Sequence, residues 1–445
     1  MIELTNIFNA YTSLTLQDVN IVLDPWIKDG IYQNSLCTDP SIEEDYKNAF
    51  LKAADFCLIS HIHEDHFDMS AIEQLPNKCR ILLPNLWPNP SVSRRKLPDR
   101  EVILCEIGKR YYINSDTYVI FLGPMNAQGH LAGVKKPDAS DNVVLDTAIF
   151  LSHKGQGLLF LCDNFPWDPS VLPKDTLSAV KNCDLLAVPF NSFADDYPIC
   201  FDNYTEVKKL EISTRRNFQR VKALAGFCEL IKPKNITPHS SDFFIKGPRA
   251  LQFDRCHPDD FKSREKFSRV LSEACNQNVI PLSSNQTLQI FRNEVNIIGE
   301  YKETDFGDVC KKLYSKTPNI SAKNVLLDTI EGLIKLSAKH MFNKMSQLGM
   351  SSPWAFQIQL VDHNDTVYTV DMKDETVTMG ETNKEYLRCV ISSGHLSELL
   401  KFNTHWDNER ISYNLSWVRS IDEYEPNLSK GLNFFHIPQS IVKKA

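Results

Sequence analysis

Three histidines and two aspartates lie within eight positions of the stretch LISHIHEDHFDMS, between His61 and Asp68. Imidazole and carboxylate groups bind borderline metals such as zinc or ferrous iron. In the spacing His-x-His-x-Asp-His, His61 and His63 offer two nitrogens, whereas Asp65 and His66 offer one oxygen and one nitrogen. The pattern favours two neighbouring pairs of metal donors over a polar loop that happens to be rich in histidine.

The segments around this cluster predict how it is positioned. Residues 56–60 are an apolar run, so His61 and His63 come where a buried strand ends, and Asp65 and His66 follow at the start of a helix. Helices are predicted at 42–54, 69–75 and 213–230. Short β-rich runs separated by polar turns predict strands at 19–23, 56–60, 80–83, 101–107, 117–122, 147–151, 157–162 and 185–190. This order indicates a layered α/β or α+β body.

The histidine cluster matches the signature of the metallo-β-lactamase superfamily, and other segments resemble that superfamily in the same order along the chain. The stretch IVLDPWIKDG places Asp24 at the end of an early strand. Its Asp-Pro-Trp form is similar to a subset that includes ascorbate-6-phosphate lactonase and CMP-N-acetylneuraminate hydroxylase. GLLFLCDNF places Asp163 just after a strand, and NITPHSSDF places His239 in a Pro-His pair after another. The resemblance implies an αββα sandwich.

The resemblance also implies a set of ligands for two divalent ions, with zinc expected first and iron or manganese as alternatives. It assigns one ion to His61, His63 and His130, a second ion to Asp65, His66 and His239, and a bridging position to Asp163. Asp24 is expected to orient a ligand histidine. Asp65 would carry a proton if a single ion binds.

The third ligand of the first ion has two candidates. His130, in GPMNAQGH, follows the predicted strand at 117–122, whereas His153, in HKGQG, lies in a predicted hairpin turn. A histidine in such a turn is more often solvated than bound to a metal, so His130 is preferred. It is also open whether the chain has a regular third ligand.

The cysteines argue against two other kinds of site. The chain has 12 cysteines, spaced singly and with no Cys-x-x-Cys pair, which predicts reduced core thiols rather than a zinc ribbon. The Cys-x-His and Cys-x-x-His pairs of a Rieske iron–sulfur domain are also missing from the sequence. The chain therefore departs from the hydroxylase, which has such a domain.

Composition bounds the class of protein. The chain has 445 residues and a formal net charge of −7, so no broad basic field favours nucleic acid or an anionic membrane. No apolar run approaches the roughly 20 residues of a membrane span, and the first residues resemble no secretory signal. A cytoplasmic location and a small-molecule substrate are the expectations.

The pattern of elements divides the chain into three parts. We expect a catalytic metallo-β-lactamase-like domain at 1–248, a connector with helices at 249–321, and an α+β accessory domain at 322–445. In the last part the sequence predicts helices at 325–345, 385–393 and 395–402, with strands at 354–360, 367–372 and 376–379.

The expected function is hydrolysis of an ester, lactone or phosphodiester bond at the dinuclear metal site. The alternatives are a di-iron oxygenase with a separate electron donor and a non-catalytic binding protein stabilised by metal.

Overall fold

The computed structural model describes residues 1–28, 30–38, 42–85, 100–125, 146–190, 196–240, 243–291, 294–316, 323–404 and 406–438. Within these residues the first sheet has eight strands, numbered along the chain: β1 (Ile2–Phe8), β2 (Tyr11–Leu16), β3 (Val19–Leu23), β5 (Phe56–Leu58), β6 (Arg80–Pro84), β7 (Val102–Cys105), β15 (Thr287–Phe291) and β16 (Glu294–Ile298). Their order is β16-β15-β1-β2-β3-β5-β6-β7, and β3, β5, β6 and β7 are parallel to one another.

The second sheet has six strands in the described residues: β8 (Tyr111–Asn114), β9 (Thr117–Leu122), β10 (Ala148–His153), β11 (Gln156–Phe160), β12 (Leu185–Pro189) and β13 (Ile236–His239). Their order is β13-β12-β11-β10-β9-β8, and β11, β12 and β13 are parallel. A two-stranded ladder joins β4 (Leu36–Cys37) to β14 (Phe244–Ile245).

The two large sheets pack face to face. Alternate side chains of each strand point to opposite faces of its sheet, so every second residue points into the space between the two sheets. In β3, Ile21 and Leu23 join a core cluster with Phe121 and Leu158 of the second sheet, whereas Val22 belongs to the cluster on the outer face. Both inner faces are apolar, so the strands between them are buried. This inter-sheet core confirms the sandwich that the sequence implied.

Helices cover both outer faces of the sandwich. The helices before residue 320 are α1 (Glu44–Ala53), α2 (Met69–Gln74), α3 (Lys174–Val180), α4 (Glu206–Ile231), α5 (Arg249–Arg255), α6 (Arg264–Cys275) and α7 (Phe306–Tyr314). α1 and α2 pack on the first sheet, and α4 and α6 pack on the second. α4 begins where the Thr205 side chain accepts from Lys208 N and ends at Lys232, which is left-handed (φ 51°).

The C-terminal part has its own sheet of five strands within the described residues: β17 (Ala355–Leu360), β18 (Thr366–Asp371), β19 (Thr376–Met379), β20 (Tyr386–Ile391) and β21 (Ser416–Arg419). The order is β19-β18-β17-β20-β21. Its helices are α8 (Leu327–Gln347), α9 (Ser393–Leu400), α10 (Trp406–Ile411) and α11 (Pro426–Leu432). The sequence-based helix at 385–393 is wrong, because β20 pairs in parallel with β17 at the centre of this sheet.

The C-terminal sheet and the sandwich share apolar contacts. One core cluster contains Val22 and Ile81 of the first sheet together with Phe356 and Trp417 of the C-terminal sheet. The segment 249–321 also contributes to the sandwich, since β15 pairs with β1. Among the described helices, none is long and apolar enough to cross a membrane.

Candidate metal centre

The candidate site lies along one edge of the sandwich, where four strands end. Asp24 follows β3, His61 follows β5, Asp163 follows β11, and His239 is the last residue of β13. Asp24 N donates to Leu58 O at 2.9 Å, which aligns the ends of β3 and β5. The parallel arrangement therefore brings residues from distant parts of the chain to the same edge.

The histidine cluster divides into two groups of donors that share one aspartate. One group is His61, His63 and Asp163, and the other is Asp65, His66 and Asp163. In each group the ligand atoms lie within 4.8 Å of one another. Asp163 thus belongs to both groups.

A buried carboxylate orients two of the imidazoles. Ser60 Oγ lies 2.6 Å from Asp24 Oδ2 and 2.9 Å from His61 Nδ1. Because a carboxylate only accepts, Ser60 donates to Asp24 and accepts from His61 Nδ1–H. His66 Nδ1 donates to the same oxygen of Asp24 at 2.8 Å. In the neutral form of each ring, this network places the lone pair on Nε2.

The electrostatics of the two rings differ. Burial lowers the pKa of His61 well below its usual value, and the neighbouring His66 and His63 lower it further. For His66 burial acts in the same direction, but the carboxylates of Asp163, Asp65 and Asp24 prevail and raise its pKa well above the usual value. The three carboxylates around His66 therefore favour a positive charge at this position.

The donor atoms around His66 fit a divalent cation. Its Nε2 is buried, has no hydrogen-bond partner among the described residues, and lies 3.4 Å from both Asp65 Oδ2 and Asp163 Oδ1. Three electron-pair donors that face one another repel unless a proton or a cation lies between them. Nitrogen and carboxylate oxygen together suit zinc, iron or manganese.

The pKa of Asp65 is also controlled by its neighbours. Burial alone would raise it, but His66, His63 and the Tyr32 hydroxyl hold the pKa of this carboxyl below its usual range. Tyr32 Oη donates to Asp65 Oδ1 at 2.7 Å, and Asn9 Nδ2 lies 3.5 Å from Oδ2. Asp65 is therefore an anion whose two oxygens have different partners.

Two residues at the site escaped the sequence analysis. Ser60 links Asp24 to His61, as described above, and Asp146 Oδ1 lies 3.7 Å from His61 Nε2. Thr147 Oγ1 donates to Ser60 O at 2.6 Å, which fixes the start of β10 beside the cluster. The available signal was an aspartate directly before a predicted strand, but a lone aspartate has no spacing that indicates a ligand.

The remaining predicted ligands have different positions. His239 is buried near the cluster, its Nε2 lies 3.0 Å from Thr12 Oγ1, and it belongs to neither group of three donors in the described residues. Burial, Arg264 and His66 lower its pKa to about 3, so its ring is neutral. His130 lies outside the described residues, and its assignment stays a prediction.

His153 is the last residue of β10, at the hairpin that joins β10 to β11. Its Nδ1 lies 2.8 Å from Thr117 Oγ1. His153 and Asp146 are seven positions apart along extended chain, roughly 20 Å at the usual rise of a strand. The structure does not bring His153 to the other donors.

A cavity of about 280 Å³ opens near the same edge. Its wall includes Phe8, which precedes Asn9, and Arg264, whose Nη1 donates to Pro238 O at 2.6 Å beside His239. The aromatic part of the lining is Phe8, Phe190, Phe243, Phe244, Phe261 and Phe306. The charged part of the lining is Lys262, Arg264, Glu300, Lys302 and Glu303, and no donor of the two groups lines the cavity.

Comparisons with known proteins found similarity in structure alone. No family model matches the chain, and no curated protein sequence matches it. YhfI from Bacillus subtilis, described as a metallo-β-lactamase fold protein, is 9% identical, with 65% of this chain and 100% of that chain covered and a TM-score of 0.37. The chain itself has the αββα arrangement that the resemblance implied.

Two further solved structures are similar to the chain. Igni18 from Ignicoccus hospitalis, described as a novel metallo hydrolase, is 13% identical, with 68% of this chain and 99% of that chain covered and a TM-score of 0.37. CmlA from Streptomyces venezuelae, a diiron β-hydroxylase, is 13% identical, with 65% of this chain and 54% of that chain covered and a TM-score of 0.44. The chain thus spans about half the length of CmlA.

Proposed function

We propose that this chain is a metal-dependent hydrolase that acts on an ester, lactone or phosphodiester bond. The observation that carries the proposal is that Asp163 completes both groups of donors at the edge of the sandwich. His61 and His63 would hold one ion, Asp65 and His66 would hold the other, and Asp163 would lie between them. His130 and His239 remain the proposed additional ligands.

Divalent ions at such a site supply Lewis acidity and lower the pKa of a water molecule to near 7. The protein's own residues provide the orientation. Asp24 and Ser60 fix the ring directions of His66 and His61, so that both Nε2 lone pairs face the same space. If only the ion at His61 and His63 binds, Asp65 would take up a proton at Oδ2, since its Oδ1 is occupied by the Tyr32 hydroxyl.

The substrate that we propose has an apolar or aromatic group next to the bond that is cleaved. The cavity supports this, because its phenylalanines favour apolar surface and its volume suits a group of about ten heavy atoms. Phe244→Ala should raise KM for an aromatic ester about 10-fold while kcat changes little. Phe291→Ala, at a residue that is 48% exposed and outside the cavity lining, is the control.

Metal analysis followed by a substrate panel tests the proposal. We expect two divalent ions per chain, and hydrolysis of at least one of p-nitrophenyl phenylacetate, dihydrocoumarin and bis(p-nitrophenyl) phosphate that chelation abolishes and added metal restores. A metal-loaded chain that cleaves none of the three classes of bond would overturn the hydrolase assignment.

A second candidate is a di-iron oxygenase. The observation that favours it is the number of carboxylates, because Asp146 joins Asp65 and Asp163 near the imidazoles, and carboxylate-rich sites suit iron and manganese. Anaerobic purification separates the two candidates. Two colourless zinc ions with esterase activity favour hydrolysis, whereas iron with a near-ultraviolet charge-transfer band favours oxygenation.

A further inference from the structure

We propose that two C-terminal residues, Glu409 and Asn414, are positioning residues for the second group of donors. They act on Asp65 through Gln33 and Tyr32. We call Gln33, Glu409 and Asn414 the Gln33 clamp. The inference rests on the proposed metal-dependent function, because it concerns how Asp65 is presented to an ion.

The segment that carries Tyr32 has an unfavourable backbone. Tyr32 (φ 49°, ψ 60°), Gln33 (φ 60°, ψ 35°) and Asn34 (φ 64°) are three consecutive residues in the left-handed region, and none is glycine. Side chains disfavour this region, so such a run persists only where surrounding contacts hold it. The contacts that hold this run of three residues therefore determine where Tyr32 lies.

The C-terminal part provides contacts to both ends of one side chain. Gln33 Nε2 donates to Glu409 Oε1, and Gln33 Oε1 accepts from Asn414 Nδ2 at 2.9 Å. Ser35 Oγ donates to Asn414 Oδ1 at 3.3 Å, one residue beyond the left-handed run. These partners are more than 370 positions away in sequence, so the amide of Gln33 connects two distant parts of the chain.

Helix α10, which contains Glu409, also contacts the turn that carries His63, Asp65 and His66. Asn408 Nδ2 lies 3.4 Å from Glu64 Oε1, and Glu64 Oε2 accepts from Tyr32 N at 2.8 Å. Glu64 lies between His63 and Asp65 in sequence. α10 therefore holds the left-handed segment and the metal-binding turn in fixed relation to each other.

The result of this arrangement is a fixed orientation of Asp65. The Tyr32 side chain is 1% exposed, and its hydroxyl donates to Asp65 Oδ1 at 2.7 Å. Because a carboxylate only accepts, the Tyr32 hydroxyl is the donor of this hydrogen bond. With Oδ1 occupied, Oδ2 is the oxygen that faces His66 Nε2 at 3.4 Å.

The clamp acts on one group of donors and not on the other. His61 is oriented by Ser60, and no clamp residue contacts it among the described hydrogen bonds. Loss of the clamp should therefore weaken the ion at Asp65 and His66 while the ion at His61 and His63 is kept.

Titration of the full-length protein with Co²⁺, followed by visible absorption and calorimetry, tests the proposal. Gln33→Leu keeps the size of the side chain and removes both hydrogen bonds, and should weaken the second ion about 10-fold or more with the first unchanged. Tyr32→Phe should do the same, and the double variant should show no further loss because the two residues act in one path. Glu409→Ala removes the acceptor for Gln33 Nε2 and should weaken the second ion as Gln33→Leu does, whereas Glu409→Gln keeps an acceptor oxygen and should restore native Co²⁺ binding.

Glu423→Gln, an exposed residue of the same C-terminal part, is the control and should have no effect. Native Co²⁺ binding in both Gln33→Leu and Tyr32→Phe overturns the proposal, as does equal weakening of both ions in folded protein. If Gln33→Leu does not fold, Tyr32→Phe decides, since it removes only a hydroxyl. A native chain that binds two ions but hydrolyses nothing refutes the proposed function and leaves the clamp intact.

Discussion

The edge of the sandwich and the C-terminal part contribute to the candidate site in different ways. At the edge, all donors except Asp163 come in a short local motif, and Ser60 and Asp24, which follow strand ends, orient His61 and His66. The C-terminal part contributes single residues, such as Glu409, which act through intermediates and have no spacing pattern. The side chains that would bind metal are thus close together in sequence, whereas some of the residues that position them are far away.

Removal of a metal donor at the edge should have the largest effect on metal content and activity. His66→Ala should lower bound metal from two ions to one per chain and reduce activity by at least about 100-fold, because no neighbouring group replaces Nε2. Elemental analysis and the ester assay measure the two effects. His153→Ala is the matched control, and should keep both ions. Unchanged stoichiometry in His66→Ala would contradict the dinuclear site, and loss of an ion in His153→Ala would make His153 the third ligand.

The next effect concerns orientation rather than ligation. Asp24→Asn keeps the shape of the side chain but weakens the acceptor for Ser60 and His66, so metal affinity should fall about 10- to 100-fold. Calorimetric titration with Zn²⁺ measures it. Asp184→Asn is a control with comparable contacts, since Asp184 accepts from Gly157 N and Lys234 Nζ in the second sheet. Equal metal affinity of the two variants would refute the role of Asp24.

A third prediction separates stability from metal binding. Asp196 is 1% exposed and accepts from Arg410 Nη2 at 3.0 Å and from Trp417 Nε1. Asp196→Ala leaves two donors without their acceptor, and should lower the free energy of unfolding by about 2 to 3 kcal/mol. Urea denaturation measures this loss. Asp202→Ala, which removes an exposed partner of Arg249, should cost less than about 1 kcal/mol.

The number of ions bound by Asp196→Ala and Asp202→Ala is the second measurement of that experiment. Both aspartate variants should retain two ions per chain, because neither residue contacts the donors or the Gln33 clamp among the described hydrogen bonds. A loss of ions in Asp196→Ala would show that packing of the C-terminal part controls the site more broadly than the clamp alone.

The effect farthest from the chemistry of the site is a pH dependence of stability. His257 is buried beside Phe306 and its Nε2 lies 3.0 Å from Phe261 O. Burial lowers its pKa to about 3. Between pH 6.5 and 3 the unfolded chain binds a proton that the folded chain does not, so stability should fall with falling pH by up to about 1.4 kcal/mol per unit.

His257→Gln can still donate to Phe261 O and cannot titrate, which makes it a direct test of that slope. Urea unfolding of both proteins across this range should give a shallower pH dependence for the variant. Parallel curves would show that His257 is not the group responsible.

Sequence reasoning reached the metal motif and a layered α/β body because both are encoded locally, whereas the sandwich was implied by the family resemblance. His61, His63, Asp65 and His66 are close in sequence, and the strands that carry the site follow alternating or continuous apolar runs. The sequence predicts a helix at 385–393, because the apolar residues there also fit a helical period. Only the central place of residues 386–391 beside β17 makes them a strand.

The residues that were missed share one property, which is that their role depends on tertiary contact. Asp146 and Ser60 are ordinary polar residues in sequence, and they act at the site because β5 and β10 end at the same edge. Gln33 and Glu409 meet only after the C-terminal part has packed on the sandwich. A pattern confined to neighbouring positions does not indicate such pairs.

The pairing of β1 with β15 has a consequence for synthesis of the protein. Ile2 lies opposite Ile290, so the first strand finds one of its two neighbours only after nearly all of the sandwich has been made. At about 5 to 20 residues per second, the free edge of β1 waits roughly 15 to 60 s on the ribosome. We expect the nascent chain to expose a strand edge to other chains during that interval, and its folding yield to depend on chaperones that cover it.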